Sequence, residues 1–224
     1  MTRRTALLLG LVFVAIAAGT GAIIAVHPGW IAGLDEAWNL EMGEWRSWPP
    51  LVGGALGMNF LGGGWVATFV TPLVVAALGA MRRGWRGGAF VLIAFVVSAG
   101  AVQIVKNALG RARPQDLLIA SDFGSFPSGH TANAATLGVV LWFLFPSIGV
   151  AVGGFVWTVA MGFSRTVLSV HWFSDTVGGA LLGAGMALLT AAVLWSWARG
   201  GAGRADRAHA PSGDAVSPPP RSLG

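Results

Sequence analysis

Two histidines, a carboxylate and four cations fall in three short clusters of this chain. The first cluster is Lys106-Asn-Ala-Leu-Gly-Arg-Ala-Arg113-Pro114. The second is Pro127-Ser128-Gly129-His130, and the third is Ser164-Arg165, five residues, His171, three residues and Asp175. Four residues apart on a helical turn, His171 and Asp175 share a face and can hydrogen-bond. A carboxylate on one ring nitrogen fixes the tautomer and leaves the other nitrogen free to attack an electrophile. His130 is then available to protonate a departing oxygen, an effect typically worth ~10²–10⁴ in rate, and to take a proton from water in a second step. Phosphoryl transfer calls for such a set, because the transferring group carries negative charge on its equatorial oxygens. Lys106, Arg113 and Arg165 supply the cations, the arginines through their bidentate fork. Ser128 and Gly129 stand where the amides of a new helix point outward, an anion site, and glycine allows close approach of the backbone.

Singly, each piece has an ordinary reading. A cation at a span end snorkels, Ser-Gly before a helix is an N-cap, and Asp175 alone would cap the last span. Convergence on one membrane face changes the odds. That face follows from the elements that carry the clusters. Hydrophobic residues make up 54% of the 224 and charged residues 10%, against roughly 25% charged in a soluble domain. The chain reads as a polytopic membrane protein. It has no cysteine, hence no disulfide or thiolate metal site. Its net charge of +5 is read as membrane topology, not nucleic-acid binding.

Apolar runs suggest six spans, at residues 6–26, 65–81, 88–109, 131–145, 148–167 and 176–197. The first is about 20 residues, enough for a ~30 Å hydrocarbon core. It is read as an uncleaved span, although Ala17-Ala18-Gly19 also suits a signal-peptide cleavage site. The Trp-rich acidic stretch after it suggests an interfacial segment, and residues 51–61 a re-entrant or half-inserted helix. Residues 1–199 form the membrane domain, with a motif core at 88–197. The tail, 200–224, rich in Gly, Ala, Pro and Arg, is expected to be disordered and cytoplasmic.

With six spans the termini share a side, and the positive-inside rule assigns it to the cytoplasm. Nine of the fourteen basic residues then lie inside, namely Arg3, Arg4, Arg82, Arg83, Arg86, Arg199, Arg204, Arg207 and Arg221. Arg46, Lys106, Arg111, Arg113 and Arg165 are left outside with seven of the nine acids. Cations at a membrane face where topology does not call for them point to a bound anion.

The pattern Lys-x6-Arg-Pro, Pro-Ser-Gly-His and Ser-Arg-x5-His-x3-Asp resembles the signature of the type 2 phosphatidic acid phosphatase superfamily, from Lys106 to Asp175. The resemblance implies an all-α bundle of about six transmembrane helices and a metal-independent phosphatase, without cofactor, that works through a phosphohistidine. By motif position His171 would be the nucleophile, Asp175 its partner and His130 the proton donor. Lys106, Arg113, Ser128, Gly129 and Arg165 would hold the phosphate. Soluble haloperoxidases of the same superfamily lack the apolar spans seen here.

The expected substrate is a lipid phosphate or pyrophosphate presented by the bilayer at the outer face. Undecaprenyl pyrophosphate, phosphatidate and phosphatidylglycerophosphate are all candidates, and transfer to another lipid remains an alternative to hydrolysis. A transporter would place charges or broken helices near the bilayer midplane, whereas these motif residues lie at span ends. Oligomeric state is open. Arg111 is read as a headgroup or loop contact, Asn107, Asp116 and Asp122 as solvated loop residues, and Asn133 as an interhelical hydrogen-bonder. His27 and His209 receive no role.

Overall fold

Helix boundaries follow local signals along the chain. Thr2 caps α1 (Arg3–Val26) by accepting from the Thr5 amide at 3.1 Å, and the helix ends at His27, before Pro28. Next come α2 (Gly29–Trp45) and α3 (Pro49–Gly62), the latter with proline in its first turn, where the missing amide costs nothing. A π-helical turn (Val66–Val70) leads into α4 (Thr71–Arg83), whose Pro72 has no amide to close the preceding turn. Gly84, at φ +68°, makes the sharp break to α5 (Trp85–Leu109). Gly110 ends α5 in the left-handed conformation, its amide donating to the Lys106 carbonyl at 2.9 Å. Ser128 and Ser147 cap α6 (Gly129–Leu144) and α7 (Ile148–Val167), and α8 (Phe173–Arg199) follows after a five-residue link. This computed structural model describes residues 1–200; the tail expected to be disordered lies, from residue 201 on, outside the described residues.

The described residues thus form an all-helical bundle. Five segments are long and apolar enough to cross a membrane: α1, the π-turn with α4, α5, α7 and α8. The sixth expected span, residues 131–145, is α6, which has only 16 residues, or about 24 Å of helix. Its cap, Ser128, is fully buried. Residues 51–61, open between two readings in the sequence, lie within α3, which packs on α7.

Helix α8 is the axis, packed against α1, α5 and α6. Small residues permit this. A Cβ at Gly179 or Gly183 would overlap the carbonyl of Ser128 or Ala132, so glycine lets the start of α6 lie directly on α8. A cluster of Ala17, Val102, Ala132 and Leu182 fills the middle of the bundle. Met42, Ala55, Val167, Leu168 and Val170 join α2 and α3 to the link after α7.

The charges segregate. At one end Arg82 lies over the Phe145 ring, Arg83 over Trp195, and Arg86 over Trp85 and Trp197. The three motifs occupy the other end, where Arg46 ties α2 to the carbonyls of Val167 and Thr166 at 2.8 and 3.2 Å.

Candidate active site

Lys106 lies in the last turn of α5, only 3% exposed. Because Gly110 turns the chain back over it, its ammonium reaches the Gly124 carbonyl at 3.0 Å and both oxygens of Asp122 at 3.2 and 3.3 Å. Arg113 comes in from the following segment. It donates to Asp122 Oδ1 at 2.6 Å, the Asp122 carbonyl at 3.0 Å, the Gly124 carbonyl at 2.9 Å and the Val170 carbonyl. Burial alone would push the Asp122 carboxyl up, but Lys106 and Arg113 outweigh it and hold it below the ordinary carboxylate value.

Arg113 also faces the third motif, with Nη1 3.4 Å from His171 Nε2. On the other side of the ring, Nδ1 is 3.5 Å from Asp175 Oδ2. This second contact is long and its hydrogen-bond geometry poor, since Nδ1 has no well-formed partner among the described residues. A guanidinium has no acceptor, so the nitrogen facing it must present a lone pair and the proton belongs on Nδ1, toward the carboxylate. That assignment is inferred from the neighbours of each nitrogen. Burial pushes the His171 imidazole below its usual value, and Asp175 only partly reverses this, leaving a neutral ring at neutral pH. Asp175 is fully buried. It sits in the first turn of α8, where Oδ2 accepts from the Trp172 amide at 2.9 Å and from the Ser125 hydroxyl.

His130, in the first turn of α6, points toward α3. Its Nε2 is buried and unpartnered among the described residues, and a Cβ on Gly63 would overlap it. The ring lines a cavity of about 250 Å³ with Gly62–Gly64, Gln103, Asp122, Gly129 and Asn133. Charges of Arg165, His171, Asp122 and Lys106 all act on it. The Ser128 hydroxyl accepts from the Thr131 hydroxyl at 3.0 Å, and the Ser128 amide donates to the Asp175 carbonyl at 2.9 Å. The Ser128 amide is therefore already engaged. The amides free of any intrahelical acceptor are those of Gly129 and His130, in the exposed-donor turn of α6.

Lys106, Arg113, His171 and Asp175 thus form one continuous contact set, with His130 and Gly129 beside it across Asp122. Arg165 is fully buried; among the described residues it makes no hydrogen bond to that set, and its charge acts on His130. It donates to Asn59 Oδ1 at 2.7 Å, the Ala55 carbonyl at 3.3 Å and the neighbouring Ser164 hydroxyl.

Several residues depart from their sequence readings. Asp122 is no free loop residue but the shared partner of two motif cations. Asp116 pairs with Arg46 and accepts from Ser169 and Asn39, contacts that outweigh its burial and hold its carboxyl below the usual range. Arg111, read as a headgroup or loop contact, bridges two buried carboxylates, Asp35 and Asp175. Asn133 does bond between elements, to the Ala67 carbonyl at 3.2 Å. Asp35, Asn59 and Ser125 carried no recognisable signal, because each meets its partner only through tertiary packing.

Residues 87–199 match the family model described as the PAP2 superfamily. A lipid A 1-phosphatase of Rhizobium johnstonii is 32% identical over 121 residues, covering 47% of the chain and 47% of that protein. The chain therefore spans about half the length of this relative. Phosphatidylglycerophosphatase B of Bacillus subtilis is 31% identical over 173 residues, covering 71% of the chain and 82% of the relative. The crystal structure of a transmembrane PAP2-type phosphatidylglycerolphosphate phosphatase from Bacillus subtilis superposes with a TM-score of 0.69 at 27% identity, over 81% of the chain and 93% of that structure. By its matched domain, its helical bundle and its three motifs, the chain belongs to the PAP2 superfamily.

Proposed function

We propose that this chain is a lipid phosphatase that hydrolyses a lipid phosphate or pyrophosphate through a phosphohistidine on His171. The observation that carries the reading is the setting of that imidazole, with Nδ1 toward Asp175 and Nε2 toward Arg113 at 3.4 Å. The Nε2 lone pair attacks phosphorus, and the bond from phosphorus to the lipid oxygen breaks. His130 gives its proton to that oxygen as the lipid leaves. Water then attacks the phosphorus of the phosphohistidine and loses a proton to His130, while the P–N bond electrons return to His171. Inorganic phosphate is the product. Lys106, Arg113 and the amides of Gly129 and His130 stabilise the oxygens on which charge develops. Arg165 adds positive charge beside His130.

The site lies at helix ends, where a headgroup arrives with its chains still in the bilayer. Arg82, Arg83 and Arg86 gather at the opposite end, which supports an extracytoplasmic site with both termini in the cytoplasm. The Bacillus relatives favour phosphatidylglycerophosphate as the first substrate to try, beside phosphatidate and undecaprenyl pyrophosphate.

Purified protein is expected to release phosphate from at least one of these lipids in the presence of a chelator, and His171→Ala to be folded but inactive. Activity surviving in His171→Ala, or strict metal dependence, would sink the mechanism. Product analysis separates hydrolysis, which yields inorganic phosphate, from transfer, which yields a new phosphoester.

A further inference from the structure

We propose that Asp35 and Arg111 are positioning residues for the reaction at His171, forming with Asp175 a buried row of alternating charge that sets the orientation and basicity of the imidazole. The inference rests on the phosphatase reading above. Asp35 belongs to α2, outside all three motifs, and is 1% exposed. Its Oδ1 accepts from the Ser174 amide at 2.8 Å, and its Oδ2 from the Ser174 hydroxyl at 2.7 Å and Arg111 Nη2 at 2.6 Å. Arg111 Nη1 continues the row to Asp175 Oδ1 at 2.5 Å and to the Ser174 hydroxyl at 2.8 Å. The guanidinium also lies 5.8 Å from the centre of the Trp172 ring.

A buried ion cluster of this kind commonly does no more than fasten elements together. Here its far end is the carboxylate of Asp175, whose other oxygen faces His171 Nδ1 at 3.5 Å. Arg111 pins Oδ1, and the Trp172 amide pins Oδ2. The plane of the carboxylate toward the imidazole is thereby fixed. Charge works in the same direction. One cation serves two carboxylates, so Asp35 draws off part of the positive charge that would otherwise weaken the pull of Asp175 on the His171 proton. Other groups acting on His171 are Lys106 of α5, His130 of α6, and Arg113 and Asp122 of the segment between those helices. All of them stay unchanged in the variants below.

The test is the acid limb of kcat against pH, which reports groups in the substrate complex. In Asp35→Asn, Arg111 acts on Asp175 alone and His171 becomes less basic. Its limb is expected to move to lower pH by about half to one unit, with kcat lowered by up to about 10²-fold as the imidazole loses its fixed orientation. In Arg111→Met, two carboxylates lose their shared cation, and the limb is expected to move to higher pH. The double variant removes one charge of each sign, and its limb should return close to that of the wild type. A role in fastening helices lowers thermal stability in all three and moves no limb in opposite directions.

Should these variants fail to fold, Arg111→Lys keeps the charge and loses the fork. It should lower kcat with the limb in place, and a displaced limb there overturns the inference. Single variants whose limbs coincide with the wild type, or a double variant no nearer to it than the singles, also overturn it. A wild-type protein inactive on every lipid phosphate overturns the functional reading and this inference together. An active wild type with unmoved limbs overturns this inference alone.

Discussion

The carboxylate of Asp122 lies 2.6 Å from Arg113 Nη2 and 3.2 Å from Lys106 Nζ. An anion of the protein itself therefore sits where two cations of the proposed phosphate site converge. Its side chain is 64% exposed, so it can swing away when a phosphoryl group arrives. In the proposed reaction Asp122 is then a competitor for the cations, which the phosphate of a substrate displaces.

Asp122→Asn should accordingly bind inorganic phosphate more tightly. Pairs this exposed are worth at most about 1 kcal/mol, so the gain expected is about two- to fivefold. Competitive inhibition by phosphate, wild type against variant, measures it. An unchanged or weaker inhibition constant means that the carboxylate helps to organise the cations and does not compete for them.

His171 gives the stability of the fold a dependence on pH. Its imidazole is buried and its folded pKa is depressed, below the ordinary value of about 6.5. The unfolded chain therefore binds the proton more readily. As the pH falls from 6.5 toward the folded value, protons favour the unfolded state, and the His171 contribution to stability is lost by up to about 1.4 kcal/mol per pH unit. The melting temperature should fall between pH 7.5 and 5.5, and fall less in His171→Asn. Parallel melting curves for the two proteins over that range would show that this ring contributes nothing to acid sensitivity.

Gly62 and Gly63 meet the site differently. A Cβ on Gly62 reaches the end of the Met161 side chain, which can yield, whereas one on Gly63 meets both His130 Nε2 and the Asn59 carbonyl. Gly63 has φ −133° and ψ −179°, a conformation open to alanine, so the obstacle is contact alone. Gly63→Ala must push aside His130, the proposed proton donor. A displacement near 1 Å can cost ~10² in rate, and a loss of that order in kcat is expected, with a far smaller one for Gly62→Ala. Equal effects of the two substitutions would disconnect the glycine contact from the chemistry.

The two kinds of site residue differed in how legible they were. Lys106, His130, His171 and Asp175 stand at fixed spacing beside helix ends, and one sequence carries both the spacing and the apolar periodicity that puts those ends together. Five of the six expected spans were legible for the same reason, since each is a long apolar run between breaks such as Gly84 and Gly110, whereas residues 131–145 fold as the shorter α6. Asp35 and Asn59 were not, because an acidic or amide residue within a short helix has no pattern of its own. Their partners are 76 and 106 positions away, and only the packing of α2 and α3 on α7 and α8 reveals them. The place of Arg111 was illegible for a related reason: nothing next to it in sequence shows that it ends between two carboxylates.

Asn59 gives the contribution of α3 its sharpest test. Arg165 is fully buried, and its only side-chain partners among the described residues are Asn59 Oδ1 at 2.7 Å and the hydroxyl of its neighbour Ser164. The Ala55 carbonyl, at 3.3 Å, comes from the same helix as Asn59. A buried guanidinium deprived of an acceptor costs about 1–3 kcal/mol or turns to find another. Asn59→Leu removes the acceptor at nearly constant volume. It should lower kcat/KM by about tenfold or more, because Arg165, whose charge acts on His130, then loses its side-chain acceptor on α3. Asn59→Asp keeps an oxygen in the same place and should retain most of the activity. Wild-type kcat/KM in Asn59→Leu would mean that Ala55 and Ser164 suffice to hold Arg165, leaving α3 only its glycine contact with His130.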